Sequence, residues 1–71
     1  MGTTRRILVR FGERVRAERM RRGFSQEELG ERAGVHRTYV GMIERGEKNI
    51  TLLNIEKFSH ALGVRISVLV D

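Results

Sequence analysis

The 71-residue sequence has no cysteine and no proline, and only two histidines. Without cysteine there is no disulfide framework and no thiolate zinc site, and His36 and His60 lie far apart in sequence, so no metal cluster is expected. With no proline, no Ser/Gly-rich linker, no repeat and no low-complexity tract, nothing divides the chain, which reads as one domain over residues 1–71. Apolar runs are short too. The opening MGTTRRILVRFGERV offers only Ile7-Leu8-Val9 before charges return, which makes no signal peptide. No segment approaches the roughly 20 apolar residues of a membrane span. These absences point to a soluble cytoplasmic protein without a membrane partner. Ser/His/Asp and Cys/His arrangements and a glycine-rich phosphate loop are missing as well, and so small a fold offers little pocket. Neither an enzyme nor a cofactor or small-molecule ligand is therefore expected.

What is present is charge and helical periodicity. Fourteen Lys and Arg face nine Asp and Glu, a net charge of +5 that favours a polyanionic partner, nucleic acid or an anionic membrane surface, without choosing between them. The excess sits in residues 1–25, where eight arginines meet only Glu13 and Glu18. Because Arg14, Arg16, Arg21 and Arg22 are interleaved with those acids, this segment reads as a solvated helix face, with any phosphate contacts auxiliary.

Glycine supplies the punctuation for an all-α fold of five short helices. Thr4 can cap a first helix running to about Arg22, with Phe11, Val15 and Arg19 recurring every fourth residue and Gly23 supplying a left-handed stop. Ser25 and Glu28 fit a capping box for a second helix, whose Leu29 and Ala33 precede the reversal at Gly34, with Val35 burying the turn. A third helix should span about Arg37 to Arg45 behind His36, a poorer cap than Ser, Thr, Asp or Asn, so its start should be less well fixed. Thr51 caps a fourth helix, with Ile50 placed to staple onto Ile55 and a core stripe of Ile55, Phe58 and Leu62; Gly63 stops it, and Val64 to Val70 forms a short apolar fifth element.

Function converges on QEELGERAGVHRTYVGMIER, residues 26–45. Two helices crossing steeply over a short turn need a small residue in the first helix, Gly at the turn and apolar inner faces. Gly30, Gly34 and the set Leu29, Ala33, Val35, Val40 and Ile43 meet that need, which is a helix-turn-helix unit. Glycine inside a helix costs about 1 kcal/mol relative to alanine, so Gly30 implies a close backbone neighbour. At about 3.6 residues per turn the third helix turns Val40, Ile43 and Glu44 inward and Arg37, Thr38, Gly41 and Arg45 outward, with Met42 at the edge. Arg can pair with guanine O6 and N7, Thr can meet a base edge or thymine methyl, and a bare Gly41 would admit close approach. Gln26, beside the free amides of its helix start, is a phosphate-binding candidate. Tyr39, on the border of the two faces, either touches DNA backbone or a base edge, or simply packs.

From its RxxRG-x-SQEEL opening (Arg19, Arg22, Gly23, Ser25 to Leu29) through RAGV, IERG and ALGV, the sequence resembles the lambda-repressor-like, or XRE-type, helix-turn-helix family along nearly its whole length. HRTYVGMIERGEKNITLLNI, residues 36–55, is most similar to the controller proteins of restriction-modification systems. The resemblance implies a compact five-helix DNA-binding domain that reads bases through Arg37 and Thr38, with Gly41 and Met42 alongside, and holds phosphates through Gln26 and through Arg45, Lys48 and Asn49. It also implies an internal ion pair between Arg19 and Glu44, joining the first and third helices. Glu18 departs from the pattern, where an apolar residue is common.

The function expected is therefore a homodimeric transcription regulator on a two-fold symmetric double-stranded operator, since one recognition helix buries too little surface and two are needed about 34 to 36 Å apart. A controller of this kind would activate or repress its own and a restriction gene according to how many dimers occupy tandem sites. The apolar end, Ile66, Val68, Leu69 and Val70, with exposed parts of the fourth helix, is the expected seam, unless those residues only close the core. Glu27 and Glu31, four apart, could touch RNA polymerase or merely complement a helix N-terminus. The alternative function is an antitoxin-type protein-binding module that also autoregulates its operon, which would need apolar surface that this sequence has no long tail to supply.

Overall fold

The computed structural model describes the backbone from residue 2 to residue 71 and side chains from residue 5 onward. Five helices follow one another: α1 (Gly2–Arg21), α2 (Gln26–Ala33), α3 (Arg37–Glu44), α4 (Leu52–Leu62) and α5 (Ile66–Val70), with no strand among the described residues. The all-α expectation holds.

Local chemistry explains the boundaries. At α2 the Ser25 hydroxyl accepts from the Glu28 amide at 3.0 Å while the Glu28 carboxylate accepts from the Ser25 amide at 2.9 Å, a complete capping box. The Thr51 hydroxyl accepts from the Asn54 amide at 3.1 Å at the start of α4. Gly34 and Gly63 end α2 and α4 in the left-handed region, at φ 75° and 68°. Three expectations need correction. α1 starts at Gly2, so Thr4 lies within the helix rather than capping it, and Arg45 is the C-cap of α3 rather than its last helical residue. His36 is a better cap than its residue type suggests, because Nδ1 accepts from the Thr38 amide at 3.0 Å and fixes the start of α3.

Each helix contributes to one core: Phe11 and Val15 from α1, Leu29 and Ala33 from α2, Val40 and Ile43 from α3, Phe58 and Leu62 from α4, and Leu69 from α5. Ile55, expected in the stripe of α4, is half-buried against this core, as are Ile50 and Val35. The Val35 amide donates to the Gly30 carbonyl at 2.9 Å, and a Cβ at Gly30 would lie 2.6 Å from the Val35 carbonyl oxygen, so the backbone neighbour expected there is the turn itself.

A second close approach falls on Gly12, another glycine inside a helix and so marked by the same argument as Gly30. Where α1 crosses the C-terminal end of α3, a Cβ on Gly12 would press on the Ile43 carbonyl oxygen and stand 2.7 Å from that of Glu44. Backbone oxygens cannot move aside as a side-chain tip can, so Gly12→Ala should separate α1 from α3 and cost about 1 to 3 kcal/mol. Chemical denaturation checks it, with Gly23→Ala as the contrast: no atom lies within 4 Å of a Cβ there, and only the positive φ of 71° resists the change. Equal stability of Gly12→Ala and wild type would contradict the close crossing.

Candidate nucleic-acid interface

The core fixes which side of α3 is available. Val40 and Ile43 are buried and anchor the helix, leaving Arg37 and Thr38 exposed on the first turn, with 61 % of the Arg37 side chain open to solvent. The two residues singled out as base readers are therefore free to enter a groove. Met42 is half-buried at the margin.

Gly41 does not lie open as expected. It is buried, and a Cβ there would stand 3.1 Å from Arg45 Nη1 and 3.5 Å from Gln26 Oε1. It is thus a floor on which two phosphate-binding candidates rest, and its lack of a side chain brings α2 and the end of α3 together.

Glu44 organises this corner. Arg19 donates from Nε to Oε2 at 2.6 Å and from Nη2 to Oε1 at 3.1 Å, and sends Nη1 to the Phe24 carbonyl at 2.8 Å. Gln26 donates from Nε2 to the same Oε1 at 3.1 Å. The expected internal ion pair is present, with the Glu44 side chain only 3 % exposed. It also does something the sequence did not announce, fixing Gln26 at the mouth of α2. One Gln26 N–H is spent inward and the other remains, beside the Gln26 and Glu27 amides that a helix start leaves without intrahelical acceptors. A phosphate oxygen suits those donors.

Arg45, Lys48 and Asn49 are all exposed after α3; Arg45 approaches Gly41 beside Gln26, while Asn49 borders a recess with Ile7, Arg10 and Val70. Arg45 is engaged by a residue not anticipated: its Nε and Nη2 donate to the two Glu47 carboxylate oxygens at 2.9 and 3.2 Å. That two-pronged hydrogen bond, reinforced by charge, holds the Glu47 carboxyl below its ordinary range and raises the Arg45 guanidinium above its own. The pair is exposed, so it is a weak tether and phosphate can compete for Arg45. Arg37 has a looser partner of the same kind, Glu27 Oε2 at 3.6 Å. Glu27 and Glu31 are both exposed.

Tyr39 packs and keeps a polar group at the rim. Its half-buried ring meets Phe58 edge-on, with centroids 6.3 Å apart, while its hydroxyl accepts from Asn54 Nδ2 at 3.0 Å. Asn54 stands in the first turn of α4 and was invisible to motif reasoning.

The expected dimer seam is corrected in part. Leu69 is 1 % exposed and belongs to the core, so it is unavailable to a partner; Ile66 is half-buried, and Val68 and Val70 are exposed. The larger apolar surface lies at the start of α4, where Leu52 and Leu53 are 75 % and 61 % exposed and line a shallow recess with Glu56 and Ile66.

Among the described residues no group of His, Asp and Glu is arranged to hold a metal, and no helix is long and apolar enough to cross a membrane.

A helix-turn-helix family model matches residues 15–69, more than half of the chain. The control protein C.BamHI of Bacillus amyloliquefaciens is 46 % identical over 69 residues, covering 96 % of this chain and 85 % of that protein. The crystal structure of the restriction-modification controller protein C.AhdI from Aeromonas hydrophila superposes with a TM-score of 0.86 at 45 % identity, over 87 % of this chain and 94 % of that one. The structure of the master regulator for biofilm formation SinR in complex with DNA gives a TM-score of 0.82 at 37 % identity, over 86 % of this chain and 98 % of that one.

Proposed function

The chain belongs to the helix-turn-helix family and is a DNA-binding transcription regulator, and from that premise we propose that it is a restriction-modification controller protein acting as a dimer on a two-fold symmetric operator. The observation that carries the reading is the exposed first turn of α3, where Arg37 and Thr38 stand clear of the core, with Gln26 and Arg45 meeting over Gly41 further along the same helix. The first two can address base edges while the others hold the backbone, the division of labour between specifying and positioning contacts. No catalytic role is assigned to any residue.

Binding exchanges partners at two arginines. Arg37 leaves Glu27 for a guanine edge, and Arg45 leaves Glu47 for a phosphate, each giving up an exposed pair of small worth. Once Arg37 has left it, Glu27 is as free as Glu31, and the two exposed acids of α2 are together available to RNA polymerase in an activating complex.

Selection of bound duplexes from a random pool tests the whole reading and should return a symmetric consensus. Arg37→Ala should keep the fold, lose about 1 to 3 kcal/mol on that consensus and relax one base preference in each half. Lys48→Ala should instead weaken every duplex alike and reduce the slope of affinity against salt by about 1. An unchanged preference in Arg37→Ala would remove that residue from the readers. Protein that treats all duplexes alike at moderate salt would overturn the function itself.

A further inference from the structure

We propose that Asn54 is a positioning residue that orients the Tyr39 hydroxyl, so that the phenolic proton is turned away from the protein and offered to DNA. The proposal rests on the DNA-binding face assigned above and adds to it a residue that never touches DNA.

A phenol has one proton to donate and two lone pairs to accept with, and an unconstrained hydroxyl rotates to suit its neighbour. Tyr39 is constrained at both ends. Its ring is held edge-on to Phe58, which is fully buried, so the phenol cannot swing away from α4. Its oxygen accepts from Asn54 Nδ2 at 3.0 Å, which fills one lone pair and turns the phenolic proton away from the amide. Among the described residues no protein acceptor takes that proton. The backbone from which Asn54 projects is fixed, since its amide is bound to the Thr51 hydroxyl at 3.1 Å where α4 begins.

The consequence is chemical selectivity. Phosphate oxygens, guanine O6 and N7 and thymine O4 accept hydrogen bonds, whereas the amino groups of cytosine and adenine donate them. A Tyr39 whose proton is turned outward favours the first set, because the bond from Asn54 already occupies one of the two lone pairs that could serve the second. Tyr39 follows Arg37 and Thr38 at the edge of the recognition face, so the partner is an acceptor on the duplex, either a backbone oxygen or a base edge.

The test is a double-mutant cycle on the full chain, with wild type, Tyr39→Phe, Asn54→Asp and the double variant titrated against the selected operator and an unrelated duplex at one salt concentration. Tyr39→Phe should weaken operator binding by about tenfold, the worth of one hydrogen bond to a charged or strongly polar acceptor. An aspartate at 54 accepts the phenolic proton instead of donating to the oxygen, so Asn54→Asp should cost about tenfold more in the wild-type background than in Tyr39→Phe. The charge that it adds acts in both backgrounds and cancels from the comparison. Aspartate is favourable near a helix N-terminus and Tyr39→Phe keeps the ring against Phe58, so both variants should melt close to wild type, which separates this effect from a folding defect. Equal loss on both duplexes identifies a backbone oxygen as the partner, and loss confined to the operator identifies a base edge; either supports the assignment. Asn54→Asp costing the same in both backgrounds overturns it, as does Tyr39→Phe binding like wild type while wild type still prefers its operator. A wild type with no preference between the duplexes sinks the recognition reading, and this proposal with it.

Discussion

Glu44→Ala should cost the folded domain about 3 to 5 kcal/mol, because it removes one partner of a desolvated ion pair and leaves the other charge uncompensated. Glu44 accepts from Arg19 twice and from Gln26 once, and its side chain is 3 % exposed against 13 % for Arg19. A domain of this size has only about 4 to 11 kcal/mol in total, so the variant should lose most of its margin and melt well over about 10 °C lower. Thermal unfolding followed by circular dichroism measures this directly. Arg19→Met combined with Glu44→Leu is the informative companion: matched apolar side chains need no charge compensation and should recover much of the loss. That double variant would stay folded yet leave Gln26 without its anchor, so a remaining deficit in DNA binding, equal for all sequences, would report what the network contributes to phosphate contact. A loss under about 1 kcal/mol in Glu44→Ala would put the pair in the class of solvated surface bridges and contradict its burial.

The parts of this molecule legible in its sequence are those fixed by one or two neighbouring residues. Ser25 with Glu28, Gly34, Thr51 and Gly63 each set a helix boundary through bonds that span a few positions, and every one acts as its residue type predicts. Arg37 and Thr38 were legible because a helix with Val40 and Ile43 buried can only turn its first residues outward. What escaped depends on elements that meet from a distance. A helical wheel gives the direction of Gly41 but not that Gln26 from α2 and Arg45 from beyond α3 will cover it. Gly12, like Gly30, marks a close backbone neighbour, but nothing local says that the end of α3 supplies it. Leu69 was assigned to a seam because a helix of five residues, α5, has too few turns for periodicity to separate its inner side from its outer. Glu47 and Asn54 act through Arg45 and Tyr39, and no motif marks a residue whose work is done by its partner.

Leu53→Asp should convert the proposed dimer to a monomer and weaken operator binding by about 100-fold or more, the lower end of what linking two binding modules provides. The longest dimension of one chain is 32 Å, while the two recognition helices must sit about 34 to 36 Å apart on successive major grooves, so one copy cannot occupy both half-sites. The proposed dimer would then need a seam that holds two copies at fixed spacing, and the surface best suited to it is the recess of Leu52, Leu53 and Ile66, where two adjacent leucines stand in water at the start of α4. Exposed leucines contribute nothing to the fold of one chain, and aspartate in the first turn of a helix complements its dipole, so the variant should keep wild-type helicity. Sedimentation at micromolar concentration would show the change in mass, and titration of duplexes carrying one or two half-sites would separate lost avidity from lost contacts. Affinity for a single half-site should be unchanged, with only the advantage of the second half-site gone. A Leu53→Asp protein that still sediments as a dimer would move the seam to Val68 and Val70, the exposed apolar residues of α5, and leave Leu52 and Leu53 without a role in assembly.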